Sequence, residues 1–396
     1  MSISRSDRSR LAEWWFTVDH VLIVAIAVLM LSGIVLSLAA SPAVAVKKEL
    51  PTFFFFERHI VFSLAGFVVM MGLSFCSPVV VRRFALLLLL VSSAALVWVL
   101  LSNNVINGAR RWISIGGISL QPSEFVKPAF VVVVAWLFAE ARNRQDMPGL
   151  PLAVGVGAIV CGLVVMQPDV GQTALLVATW GALYLLAGLP FIGVAVLGGV
   201  GVFGVIAAYL FFPHVQSRID RFVSASHEAN SQVSRAIDSF VQGGFLGRGP
   251  GEGTIKTRFP DAHTDFIFSV IAEEYGAVAC LGLVALFAFI VVKAMISALR
   301  ELSLANRLAV QGLAIMFGGQ AFINMGVNVG LLPATGMTLP YISAGGSSML
   351  AVSVGLGMLL ALSRRRVGLD GFEMAKYSAA PAVMGEVNAY SRHGQV

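Results

Sequence analysis

The residues best suited to chemistry lie in one stretch, GGFLGRGPGEGTIKTRFPDAHTDFIFSVIAEEYG (243–276), where a glycine-rich polar loop runs into an apolar segment carrying Asp265, Glu273 and Glu274. A carboxylate where water meets an apolar helix can accept a proton, carry one or hold a cation. An ionised group at the bilayer centre costs about 2.5–3.5 kcal/mol on insertion scales, so such groups face a bundle interior or a wet cavity. On a helix, Glu273 lies roughly 80° round from Asp265 and roughly 12 Å deeper, and Glu274 roughly 180° round. Glu273 is therefore expected to share a cavity with Asp265, and Glu274 to pair with another helix. The run GGFLGRGPGEGT has glycines at 243, 244, 247, 249, 251 and 253 around Arg248. Its amides can close on an anion and its guanidinium can add a bidentate contact. It lacks the Lys-Ser/Thr of a phosphate-binding P-loop and follows no strand, so loop flexibility explains it equally well. His263 could orient Asp265, although one His beside one Asp makes neither a metal site nor a catalytic triad.

Three further constellations have chemical and structural readings side by side. Glu124 and Lys127 are three residues apart after Pro122 and Ser123, which read as a helix start. They can form an ion pair that helps a helix enter the membrane, or Lys127 can meet an anionic ligand while Glu124 orients it. Asp169 lies between two apolar runs and can cap the second. Arg110 and Arg111, followed by Trp112, suit a phosphate ligand or ordinary lipid headgroups.

The elements that must position these residues are membrane helices. Of the 396 residues 57% are apolar and 12% are charged, and a soluble domain carries about twice that charge. Apolar stretches of about 20 residues separated by short polar joints argue for an all-α integral membrane protein rather than a barrel. Ten spans are expected, near 18–40, 60–77, 84–102, 124–141, 151–167, 170–188, 190–212, 264–293, 308–332 and 344–363. The first apolar run is long enough to span and is expected to stay as a helix rather than be cleaved.

With both termini cytoplasmic, thirteen Lys and Arg residues fall inside (such as Arg82, Arg83, Arg142, Arg144 and Arg364–Arg366) and five outside: Lys47, Lys48, Arg58, Arg110 and Arg111. That asymmetry sets the orientation. It also accounts for the net charge of +6, so no nucleic-acid partner is implied. Every motif-like polar stretch then faces outward, including a long extracytoplasmic loop, 213–263, in which 231–241 has the period of an amphipathic helix. The domain reading is a cytoplasmic segment 1–17, a polytopic membrane domain 18–366 and a disordered cytoplasmic tail 367–396. Cys76, Cys161 and Cys280 lie in or beside apolar runs without metal-ligand spacing and read as small core residues. The glycines of the seventh span, 193, 198, 199, 201 and 204, permit close helix approach or local mobility.

Taken together, NGARRWI, QPSEFVK, QPDVGQTAL, GRGPGEGT leading into DAHTDFIFSVIAEEYG, and NVGLLPATGMTLPYISAGGSS resemble the SEDS peptidoglycan polymerases, the FtsW and RodA group, from about residue 14 to 366. GRGPGEGT and the stretch before HTDF are more similar to the division-associated FtsW branch than to the elongation-associated RodA branch. The resemblance implies a glycosyltransferase of the bacterial inner membrane that polymerises lipid II, an undecaprenyl diphosphate-linked disaccharide peptide, on the outer face. It implies as partners a class B penicillin-binding transpeptidase and other divisome membrane proteins at the septum. Asp265 matches the family's candidate catalytic aspartate, Glu124 and Lys127 the Glu and Lys of QPSEFVK, and Asp169 the QPD aspartate. Two departures are Asp261, where the family often has Glu, and Arg248, where it often has Lys.

The implied chemistry fits the residues. A sugar hydroxyl attacking an anomeric carbon needs a base, and a departing lipid diphosphate needs cations or amides. Asp265 is the base of choice. Arg110, Arg111, Lys127 and Arg248 compete for the diphosphate, and Mg or Mn would suit the acidic oxygens. A lipid II flippase would use the same outward cavity without making product, and a RodA-like polymerase would use the same chemistry in elongation. A secondary transporter would use Asp265 and Glu273 as proton carriers, but the halves show no convincing repeat.

Overall fold

The structure, a computed structural model, describes residues 9–102, 111–115, 118–144, 146–211, 232–259 and 262–365, together with residues 216 and 220. By contact the chain divides into two units, 1–18 with 364–396, and 19–363. In the smaller unit, helix α1 (Arg10–Thr17) is capped by the Ser9 side chain, which accepts from the Ala12 amide. Arg364 donates to Thr17 Oγ1 at 3.0 Å and to Glu13 Oε1 at 3.2 Å.

The larger unit is built on ten long helices that follow the ten expected spans in order: α2 (His20–Lys47), α3 (Phe54–Ser74), α4 (Pro78–Leu101), α5 (Pro122–Asn143), α6 (Gly149–Met166), α7 (Val170–Leu186), α8 (Phe191–Phe211), α10 (Ile267–Ala298), α11 (Leu304–Asn328) and α12 (Gly346–Leu362). Six of them, α2, α3, α4, α6, α10 and α11, are long and apolar enough to cross a membrane by length and composition. The amphipathic segment is helix α9 (Gln232–Gly243), which packs on α10 through Ala236, Ser239 and Gly243 and leaves Ile237 and Val241 exposed. Among the described residues one feature departs from all-α. Ile113–Ile115 (β1) and Ile118–Leu120 (β2) pair antiparallel, Ile113 opposite Leu120 and Ile115 opposite Ile118.

Helix α5 sits at the core. Its first turn opens on Pro122, whose missing N–H is no loss there. Its run from Val126 to Ala135 is buried, and a helix apolar on all sides must be surrounded; α4, α6, α7, α11 and α12 all pack on it. The most extensive helix contact joins α3 to α12, and small residues permit it. A Cβ on Gly357 would come 2.8 Å from the Met70 carbonyl oxygen, and one on Gly66 would come 2.4 Å from Ser353 Oγ. The glycines of α8 at 198, 199, 201 and 204 instead face open space rather than a close neighbour. Leu87, Leu90, Val61, Val68 and Leu281 point outward on α4, α3 and α10, the inverse of a soluble protein and the pattern that suits hydrocarbon.

Candidate active site

Asp265 stands two residues before α10, so the helix begins slightly later than the expected span, and the residue is half-buried. The strand of chain around it is stapled to the segment between α11 and α12. The His263 carbonyl accepts from the Ala344 amide at 2.9 Å, and the Thr264 carbonyl from Ser343 Oγ at 2.6 Å. The Asp265 carbonyl accepts from two amide side chains, Asn324 at 3.1 Å and Asn328 at 2.9 Å. The carboxylate Oδ2 lies 3.8 Å from where a Cβ on Gly336 would sit, so that glycine leaves room beside it.

The glycine-rich loop does close on anions, and the anions are the chain's own. Glu273, fully buried, accepts through Oε1 from the amides of Thr254 at 2.5 Å and Ile255 at 2.8 Å, and through Oε2 from Lys256 at 3.1 Å. Glu274 accepts from the Gly251 amide at 2.9 Å and pairs with Lys256 Nζ, which also donates to the Ala39 carbonyl at 3.3 Å. The expectation that Glu273 shares a cavity with Asp265 is thus corrected: both its oxygens hold the loop. Glu274 pairs with Lys256 of the short 3-10 helix Ile255–Arg258 that closes the preceding loop, rather than with another long helix.

The backbone completes this lock. Gly276 adopts φ 77° and breaks α10, a conformation only glycine takes cheaply. The amides freed by the break, Ala277 and Val278, donate to the carbonyls of Gly244 at 2.9 Å and Phe245 at 3.2 Å. The carbonyls of Glu273 and Glu274 receive the amides of Arg248 and Gly249, both at 3.0 Å. Arg248 itself is exposed, with its guanidinium 3.4 Å from Thr254 Oγ1.

Glu124 and Lys127 form an ion pair at 2.9 Å inside the bundle, their side chains 4% and 3% exposed. Gln172 donates to the other Glu124 oxygen at 2.5 Å, and Lys127 donates to Gln320 Oε1 at 2.8 Å. Gln320 donates in turn to the Thr338 carbonyl at 3.0 Å. A cavity of about 30 Å³, room for about one water, lies beside Glu124, Lys127 and Gln320 with apolar walls from Pro128, Phe317 and Leu356. Asp169 caps α7, as the turn reading expects, by accepting from the Gln172 amide at 3.3 Å, and it pairs with Arg111 at 3.4 Å. Arg111 also donates to the carbonyls of Gln167 and Pro168. Burial raises the Asp169 carboxyl above its ordinary value, against the opposing pull of Arg111.

His263 lies against Phe55, with ring centroids 4.4 Å apart and the ring planes tilted by 46°. Burial, and then the charge of Lys48, push its imidazole down to about 4, so it is neutral at pH 7 and supplies no positive charge for a diphosphate. Arg110 lies outside the described residues. Among the described residues no three of His, Cys, Asp and Glu gather as metal ligands; a Mg or Mn ion here would lean on Asp265 and on substrate phosphates.

Sequence reasoning passed over Gln172, Lys256 and Gln320, which hold Glu124, Glu274 and Lys127, and Asn324, Asn328 and Ser343, which hold the backbone at Thr264 and Asp265. For the amides of α11 a signal existed, since 320, 324 and 328 recur every four residues within an apolar run. The QPD aspartate, the QPSEFVK pair and the long C-terminal polar motif meet in one buried network beside the chain segment that grips Asp265.

A bundle with ten long helices among the described residues, a carboxylate where a polar loop meets a helix, and a buried polar network beside it defines a polytopic membrane protein with a polar site among its helices. The cell cycle protein family model that covers FtsW, RodA and SpoVE matches residues 19–367, and the chain belongs to that family. It is similar to the probable peptidoglycan glycosyltransferase FtsW of Caulobacter vibrioides, 42% identical over 371 residues, covering 93% of this chain and 95% of that protein. The corresponding FtsW protein of Bacillus subtilis is 33% identical over 365 residues, covering 87% and 90%. Among solved structures, a chain of a peptidoglycan synthase complex that coordinates polymerization and crosslinking aligns with TM-score 0.74 and 28% identity over 87% of this chain and 97% of that one. The rod shape determining protein RodA of Thermus thermophilus aligns with TM-score 0.65 and 28% identity over 88% and 97%.

Proposed function

We propose that the chain is a peptidoglycan glycosyltransferase of the FtsW type that polymerises lipid II on the outer face of the cytoplasmic membrane during septal wall synthesis. The observation that carries this reading is Asp265, half-buried where a polar loop meets an apolar helix, with its carbonyl gripped by Asn324 and Asn328. The acceptor sugar hydroxyl gives its proton to the Asp265 carboxylate while its oxygen bonds to the donor's anomeric carbon. The bond from that carbon to the lipid diphosphate breaks in the same displacement, and the diphosphate leaves with both electrons. One base and a cationic cradle suffice for this, because a diphosphate leaves without a second carboxylic acid to protonate it, and the anomeric configuration inverts because there is a single displacement at that carbon. Linkage analysis of the polymer tests it: a configuration opposite to the donor's is expected, and a retained one contradicts single displacement.

Of the candidate cations, Lys127 and Arg111 already hold carboxylates, whereas Arg248 is exposed at the loop. Arg248→Ala is expected to slow polymerisation at limiting lipid II, and Arg248→Lys to keep much of the rate. Equal, near-normal turnover of both would leave Arg248 without a substrate contact.

The reading includes a class B penicillin-binding transpeptidase and other divisome membrane proteins as partners, supported by the likeness to a chain of a complex that couples polymerization to crosslinking. It also takes both termini as cytoplasmic, 1–17 and 367–396 as cytoplasmic flanks and 213–263 as an outer loop. A cysteine introduced at Ser226, outside the described residues, is expected to react with an impermeant reagent from the outer face. Labelling only after permeabilisation would reverse the orientation.

A further inference from the structure

Helix α11 carries three buried amides one turn apart, Gln320, Asn324 and Asn328, which are 3%, 1% and 0% exposed. Steps of four residues drift only about 40° round a helix, so the three form one stripe. Asn328 Nδ2 donates to the Asp265 carbonyl at 2.9 Å, while its Oδ1 accepts from the Ser269 amide at 3.1 Å and from Ser269 Oγ at 2.7 Å. Asn324 Nδ2 donates to the same Asp265 carbonyl at 3.1 Å and to the Met337 carbonyl at 2.7 Å. Gln320 joins Lys127 at 2.8 Å to the Thr338 carbonyl at 3.0 Å.

Resting on the reading of Asp265 as the base, we propose that Gln320, Asn324 and Asn328 are positioning residues that fix the Asp265 backbone and tie it to the buried Glu124–Lys127 pair. A carboxylate's direction follows its own backbone, and both sides of this segment are clamped: the carbonyl of Asp265 by two donors, and the first turn of α10 by the Asn328 oxygen. Carboxamides suit the task because one uncharged group both donates and accepts. Core filling alone would not require them. Gln311, on the same helix and 5% exposed, has an Oε1 without a hydrogen-bond partner among the described residues, so a buried amide here is not bound to a network by default. A displacement of about 1 Å in a reacting group can cost on the order of 100-fold in rate, which is the scale of effect a positioning stripe governs.

The test uses the full-length protein with lipid II as substrate. Asn324→Leu and the isosteric Asn324→Asp each remove the Nδ2 donor; Asn328→Asp does so while keeping the oxygen that Ser269 uses. Each is expected to lower kcat by roughly 10- to 100-fold, with KM within about threefold of wild type and the acidic limb of the kcat–pH profile displaced. Combining Asn324→Asp with Asn328→Asp should cost little more than the larger single loss, because the residues act as a unit. Gln311→Leu should leave all of these unchanged. Normal kcat in a folded Asn324 variant, a loss confined to KM, or loss of fold in both Asn324 variants would overturn the positioning role. Asp265→Asn, run in parallel, separates the two readings: full activity there removes the base itself, whereas an inactive Asp265→Asn beside Asn324 variants of wild-type activity removes only the stripe.

Discussion

Asp265→Asn is expected to give a folded, membrane-inserted protein that makes almost no glycan from lipid II. Asn keeps the size of the side chain and removes the proton acceptor, and general-base assistance is worth roughly 10²- to 10⁴-fold in rate. The fold should tolerate the change because it leaves in place the backbone contacts of this segment: Asn324 and Asn328 hold the Asp265 carbonyl, and Ser343 holds that of Thr264. Chain formation by purified wild type and variant at matched amounts is the measurement, with thermal unfolding as the control for fold. Wild-type polymer yield from Asp265→Asn would end its assignment as base. A variant that neither folds nor polymerises would make Asp265 a structural carboxylate.

Lys127→Met is expected to destabilise the bundle by about 3–5 kcal/mol, the usual cost of leaving one partner of a buried pair alone. Glu124, its side chain 4% exposed, would keep Gln172 but lose the ammonium 2.9 Å away. Gln320 Oε1 would lose its donor as well. Adding Glu124→Gln removes the stranded charge and should recover most of the stability, since buried ion pairs are often replaceable as a unit. Denaturant or thermal unfolding of the single and double variants in detergent measures this. A single variant as stable as wild type would mean that water reaches the pair. Recovery of stability without recovery of polymerisation would assign Lys127 a role toward substrate beyond its ion pair.

Much of the architecture was legible because the solvent imposes it. A helix crossing hydrocarbon needs about 20 apolar residues, and the joints between such runs stand out, so even Gln167, Pro168 and Asp169 sufficed to mark the break between α6 and α7. Asp265 stood out for the same reason, as a charge at the edge of an apolar run. The hairpin was missed although Ile-Ser-Ile and Ile-Ser-Leu flank a Gly-Gly pair, a two-residue turn signal that is hard to notice in a chain otherwise read for helices.

The roles of Glu273 and Glu274 were not legible, because helical geometry gives the direction of a side chain but not what a flexible loop will bring to meet it. The glycine run suits a cradle for an anion and a merely flexible loop equally well on sequence, and the anions its segment does hold, Glu273 and Glu274, are internal. The amides of α11 escaped notice because an uncharged Asn carries little cost in a hydropathy profile, and its value appears only when the Asp265 carbonyl, folded back from a different helix, arrives at its donor.

The direct measurement of glycan synthesis by this chain is to reconstitute the purified protein, together with the class B transpeptidase proposed as its partner, in vesicles containing lipid II, without an ion gradient. Glycan strands and free lipid diphosphate are then followed alongside lipid II movement between leaflets. The predicted result is polymer and released diphosphate, abolished by Asp265→Asn. Passage of lipid II between the leaflets with no polymer would contradict the account and make the chain a flippase.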